Sequence, residues 1–272
     1  MTPPIRTEPR HEMPGVHLQF SAARFVRLFA TVAAGLCLVH ILLHFVAVVK
    51  GDDRLYGLVY MFGLGAERNP PTLYSTVALL VVAGLLLIVA RHSKTDRLYW
   101  WVLGVTFVFL ALDETMGFHE KLVEPVKGAL KTSGAFHYAW IIPYGLAALA
   151  FGIAFSRFLL RLPRHTAKRF VVAGAIFVMG AVGMEMVGGA VIEQDGAKSW
   201  SYWSAQTAEE MLEMLGVLLF LYALVAHIDE TMGGLTLRLG NAAPSRTEAP
   251  VELPGAVQPR EAAKRRVPDA AS

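Results

Sequence analysis

The chain has 272 residues, 54% of them hydrophobic and only 17% charged, with a mean hydropathy of +0.46. A soluble globular domain carries about 25% charged residues, so this composition excludes one and points to lipid as the solvent. The formal net charge of +3 does not imply nucleic acid, because the basic residues collect in short clusters between long apolar runs; a single cysteine, Cys37, excludes an internal disulfide framework.

The segment before Phe20 is mostly polar, and the apolar run after it is too long for the core of a cleaved signal peptide. A retained signal-anchor is the expectation. A membrane-spanning helix needs about 20 apolar residues at roughly 1.5 Å rise each. Stretches near 25–49, 73–91, 98–118, 138–161, 168–192 and 205–228 qualify. The predicted fold is therefore all-α, a polytopic bundle of six spans. Boundary signals agree: Lys50-Gly51-Asp52-Asp53 closes the first stretch, Asn69-Pro70-Pro71 opens the second, and Arg91 to Arg97 separates the second from the third. Tyr99, Trp100 and Trp101 read as an interfacial belt at one side, and Tyr138, Trp140, Trp200 and Trp203 as a belt at the other.

Orientation follows from Lys and Arg. One side holds Arg6, Arg10, Arg24, Arg27, Arg91, Lys94, Arg97, Arg157, Arg161, Arg164, Lys168 and Arg169; the other is poorer, with Lys50, Arg54, Arg68, Lys121, Lys127, Lys131 and Lys198. The richer side is expected in the cytoplasm of a bacterial inner membrane, which puts both ends inside. Residues 1–22 then form a polar cytoplasmic N-terminus and 23–230 the six-helix domain. Residues 231–272, rich in Ala, Pro, Arg and Glu from 236 onward, are expected as a disordered cytoplasmic tail. The strings Leu112-Asp113-Glu114-Thr115-Met116-Gly117 and Ile228-Asp229-Glu230-Thr231-Met232-Gly233 echo one another, but no second segment of the two halves matches. The echo reads as coincidence rather than as an inverted repeat.

Acids inside a span each cost about 2.5–3.5 kcal/mol on insertion scales, so they face the bundle interior and take partners. Asp113 and Glu114 end the third stretch, followed by His119 and Glu120; Glu185 sits in a Gly-rich run of the fifth; Glu209, Glu210 and Glu213 open the sixth. His40 and His44 share a face of the first. All fall toward the outer leaflet. Carboxylate and imidazole from several helices are a ligand set for a divalent metal, iron, zinc or manganese. His40, His44, Asp113, Glu185, Glu210 and Glu213 are the expected ligands, with Glu114, His119 and Glu209 as outer partners or general base. The same acids fit a proton- or cation-coupled carrier, or a structural subunit whose acids pair with another chain. A metal site requires side chains converging on one point, whereas a carrier requires a polar path to the cytoplasmic side. The expected partners are membrane lipids and a lipid-soluble or periplasmic small molecule, and no nucleic acid. His227, Asp229 and Glu230 read as a solvated helix end.

The strings Leu110-Ala111-Leu112-Asp113-Glu114 with His119-Glu120, and Glu209-Glu210-Met211-Leu212-Glu213-Met214-Leu215-Gly216, resemble a loose group of bacterial six-span membrane proteins. Those share an "LDE…HE" third helix and an "EE…E…G" sixth. The likeness covers roughly residues 25–230; it supports the choice of residues and implies no reaction.

Overall fold

A computed structural model describes residues 22–52 and 54–233, with the backbone of 16–19 and 236–239. Helices α1 (Ala22–Lys50), α2 (Leu58–Met61), α3 (Pro70–His92), α4 (Arg97–Met116), α5 (Phe118–Lys121) and α6 (Val123–Leu130) are followed by α7 (Ile141–Arg161). Then come α8 (Arg164–Val178), a π-helical turn (Met179–Met184), α9 (Glu185–Asp195) and α10 (Trp200–Met232). Two four-residue strands, Val16–Gln19 and Thr236–Leu239, pair with each other. The rest of the expected N-terminal and tail segments lies outside the described residues.

Six helices are long and apolar enough to cross a membrane, with α8, the π turn and α9 forming one of them, which fits a multi-pass membrane protein. Their ends move from the expected positions for local reasons. Asn69 accepts a hydrogen bond from the Thr72 backbone N–H (3.0 Å), so α3 starts at Pro70, where a missing N–H costs nothing. The Ser199 hydroxyl accepts from the Tyr202 N–H (3.2 Å) and starts α10 earlier than hydropathy predicts. Gly117, at φ 56°, caps α4 two residues before the expected end. Gly233, at φ 72°, caps α10 in the same way. The echoed string at the two sites thus encodes a helix stop, with Thr115 and Thr231 each bonding the carbonyl four residues back.

The helix α10 is the axis of the bundle. Of its most apolar window 56% is buried, against 17% for α1, for α7 and for the α8–α9 helix. Leu221, Leu224 and Ile228 of α10 pack with Leu86 and Val89 of α3, Trp100 and Phe107 of α4, Phe158 of α7 and Phe170 of α8. The outward faces are apolar as well: Phe45 and Val49 of α1 and Leu146, Ile153 and Leu160 of α7 are more than half exposed, as lipid-facing side chains are.

Trp100 departs from the expected belt. It is buried and stacks on His227 (ring centroids 5.1 Å apart), edge-on to Phe158. His227 is therefore core and not solvated, whereas Glu230 one turn on meets His165 (2.6 Å) and Arg169 (3.4 Å). At the same end Arg161 pairs with Asp96.

Candidate functional site

Because α10 is the axis, its third and fourth turns carry Glu209, Glu210 and Glu213 into the bundle. Opposite them, the π turn Met179–Met184 adds a residue to one helical turn, which rotates Glu185 relative to a continuous α-helix. Gly180 in that turn makes the approach possible: a Cβ there would lie 2.9 Å from the Glu209 carbonyl oxygen and 3.0 Å from Glu213 Cγ. Glu185 and Glu209 come within hydrogen-bonding reach of each other, and Glu185 Oε1 accepts from the indole N–H of Trp140 (3.2 Å).

The helix end at Gly117 builds the other wall. The left-handed turn folds α5 back over α4, so His119 meets a carboxylate six residues earlier. Asp113 Oδ1 accepts from the His119 backbone N–H (3.0 Å) and the Tyr144 hydroxyl (3.2 Å), and Oδ2 lies 3.0 Å from His119 Nδ1. Asp113 is buried and both its oxygens are engaged. Burial alone would lower the His119 pKa, but the hydrogen bond and charge of Asp113, with Glu120 and Glu185 behind them, raise it.

A further acid comes from the loop before α3. Glu67 Oε1 and Glu120 Oε2 both sit against Gly117, 2.8 Å and 3.3 Å from where its Cβ would be, which brings the two carboxyls within reach of each other. Burial and the Glu67 carboxyl push the Glu120 pKa up. The loop is pinned by Asn69, whose amide donates to the carbonyls of Gly63 (2.7 Å) and Tyr60 (3.2 Å), and by the Tyr60 hydroxyl on the Glu67 carbonyl (3.2 Å). Glu67 carries no hydropathy signal; its place between Gly65 and Asn69-Pro70-Pro71 is the clue that a tight turn presents it.

Of the expected residues, Asp113, Glu114, His119, Glu185, Glu209, Glu210 and Glu213 are brought together. Glu213 lies within electrostatic reach of Glu114, Glu185 and Asp113, and Glu210 within reach of Glu213, Glu114 and Glu185. His40 and His44 are placed differently, on an aromatic ladder between α1 and α10. His44 stacks on Trp203 (4.0 Å, 10°) and His40 on the same ring (5.3 Å, 20°). The Leu64 N–H donates to His40 Nδ1 (3.3 Å), which leaves Nε2 to donate to the Thr207 hydroxyl (3.0 Å). Both nitrogens of His40 are thus used by the protein. Among the described residues, no group of three or more His, Cys, Asp or Glu side chains is arranged as a ready metal cage.

The layer forms the polar end of a cavity of about 730 Å³. Asp113, Glu114, His119, Glu209, Glu210 and Glu213 line one end; beyond them the wall is mostly apolar, with Thr106 among its residues, and ends in Phe155, Phe158 and Phe170. Small residues keep it open: Ala147, Ala148 and Gly152 on α7, Ala173 and Gly174 on α8. Trp140, expected in an interfacial belt, is instead buried in this wall between His119 (4.8 Å) and Tyr144 (5.1 Å).

No curated protein and no solved structure matches the chain. Residues 26–228, which include every side chain of this layer, match a family described as a domain of unknown function, DUF8692, and the chain belongs to that family.

Proposed function

We propose that this chain is a multi-pass protein of a bacterial inner membrane, both ends in the cytoplasm, whose carboxyl layer faces the periplasmic side and holds a divalent metal at the head of the cavity. The observation that supports this is the charge balance of the layer. Glu67, Asp113, Glu114, Glu120, Glu185, Glu209, Glu210 and Glu213 come from separate segments, and His119 is the basic side chain among the described residues that they meet. Acids gathered in a low-dielectric setting need protons or a cation between them. The positive-inside count of Lys and Arg supports the orientation.

In this reading Glu114, Glu209, Glu210 and Glu213, which line the cavity, hold the metal, with Glu185 steadied behind them by Trp140. Oxygen-rich ligands suit manganese or iron better than zinc. The metal would supply Lewis acidity to a bound oxygen. His119 lines the same space and acts as the positioned base, while Asp113, its oxygens already engaged, orients the imidazole and is not a ligand. His40, with both nitrogens engaged, is left out of the ligand set.

A proton-coupled carrier is the second reading, favoured by the Glu185–Glu209 and Glu67–Glu120 contacts, where paired carboxyls can share protons. The aromatic far end of the cavity, Phe155, Phe158 and Phe170, offers such a carrier no polar continuation. Elemental analysis of the purified full chain separates the two. Metal near one or two equivalents in the wild type, lost in Glu213→Gln, supports the first. Substoichiometric metal unchanged by Glu213→Gln overturns it.

A further inference from the structure

The apolar part of the cavity is larger than a metal and its water need. About 730 Å³ falls within the range of roughly 300–1,000 Å³ for sites that take whole small molecules. It runs along α7 from Tyr144 to Leu159, about 22 Å at the rise of a helix. That is the length of a long hydrocarbon chain. Its rim includes Phe109 of α4 and Val171 and Val178 of α8, all exposed on the flank of the bundle, where the surrounding surface is apolar. A ligand entering there comes from the bilayer and not from water.

The two ends set the ligand's polarity. The chain end meets Phe155, Phe158 and Phe170; the head end meets carboxyls and His119. Carboxylates accept hydrogen bonds and repel anions. We propose that the cavity binds a membrane-derived amphiphile with one long apolar chain and an uncharged or cationic, hydrogen-donating head, such as a hydroxyl or amine, seated against the carboxyl layer. The inference rests on reading that layer as the working end of the site, but not on a metal being bound there.

Glycines give a test that leaves the acids intact. Gly152 and Gly174 line the cavity, and a Cβ at either meets nothing within 4 Å, so a phenyl ring grows into open space. Gly35 on α1 is equally open and does not line the cavity, which makes it the control. The measurement is equilibrium binding of tritiated hexadecanol to the full chain in phosphatidylcholine nanodiscs, corrected against empty discs, with hexadecylamine and palmitate as competitors. Saturable binding is expected, displaced by hexadecylamine and not by palmitate. Gly152→Phe and Gly174→Phe should each weaken it by about tenfold or more, with Gly35→Phe unchanged. Non-saturable uptake, equal uptake in both phenylalanine variants and the wild type, or displacement by palmitate as effective as by the amine, overturns the proposal. Metal content measured on the same samples keeps the two readings apart: absent metal with chain binding intact removes only the metal, and bound metal without chain binding removes only the amphiphile.

Discussion

Asp113 and His119 are joined twice, through the backbone N–H of His119 on Oδ1 and its ring Nδ1 on Oδ2, each at 3.0 Å. A helix cannot do this, because residues six apart on one helix point to different faces. The left-handed Gly117 turn does it by reversing the chain between them. With Tyr144 on the remaining lone pairs, the carboxylate fixes which imidazole nitrogen carries the proton and which edge faces the cavity.

Asp113→Asn tests that relationship. The raised His119 pKa depends mainly on Asp113, so the variant should titrate His119 lower than the wild type does, read by histidine-selective NMR. A histidine whose folded pKa is raised adds stability that is full below about pH 6.5 and fades as pH rises through the folded value. The melting gap between wild type and Asp113→Asn should be widest in that acidic range and narrow above neutrality. A gap that widens with pH contradicts the pairing.

Glu67→Gln should act in the opposite direction on its neighbour. Burial and the Glu67 carboxyl raise the pKa of Glu120, so the folded state holds that proton more tightly than the unfolded chain. Stability from a raised carboxyl is full below its unfolded pKa and is lost as pH rises through the folded one. The wild type should therefore lose stability as pH rises above about 4.5, and Glu67→Gln should lose less. Glu120 is only partly withdrawn from solvent, so about 0.2–1 kcal/mol is the expected size, as for surface pairs. Parallel pH dependences from detergent melts would remove the Glu67–Glu120 contact.

The six long apolar helices are legible in the sequence because each is an uninterrupted apolar run, and Asp113, Glu185 and Glu213 stand out because charge within such a run is costly in lipid. What brings them together is not legible. The π turn at Met179–Met184 has no hydropathy signature. His40 and His44 share a face as their spacing predicts, but a face shared on one helix says nothing of what stands opposite, which is Trp203 and Thr207. Trp100 and Trp140 misled because an indole near a span end reads as an interfacial anchor, whereas here one fills the core and the other donates to Glu185.

Trp140→Phe isolates that donation. The ring contacts with His119 and Tyr144 can persist, but Glu185 Oε1 loses its indole donor. A buried hydrogen bond contributes roughly 0.5–1.5 kcal/mol net, so the unfolding midpoint should fall correspondingly. If a metal occupies the layer, its affinity should fall as well, because Glu185 is no longer held. An unchanged midpoint means Glu185 is satisfied by Glu209 alone.

Glycine-to-alanine substitution should have opposite effects on the two neighbouring helices α10 and α8. A Cβ on Gly216 of α10 would lie 2.7 Å from the backbone nitrogen and Cβ of Phe177 and 2.8 Å from its Cα, so the helices must separate to admit it. Backbone cannot rotate aside as a side chain can, and overpacking of this kind costs about 1–3 kcal/mol. A Cβ on Gly174 of α8 meets nothing within 4 Å and lines the cavity. There the methyl costs no clash, and helix propensity alone favours alanine by about 0.8–1.0 kcal/mol. Gly216→Ala should therefore lower the melting temperature and Gly174→Ala raise it, under the same detergent and pH. Only the close α8–α10 approach at Gly216 predicts opposite signs. If both variants shift the same way, α10 does not pack against Phe177 as tightly as this geometry requires, and the placement of Glu213 against the π turn loses its support.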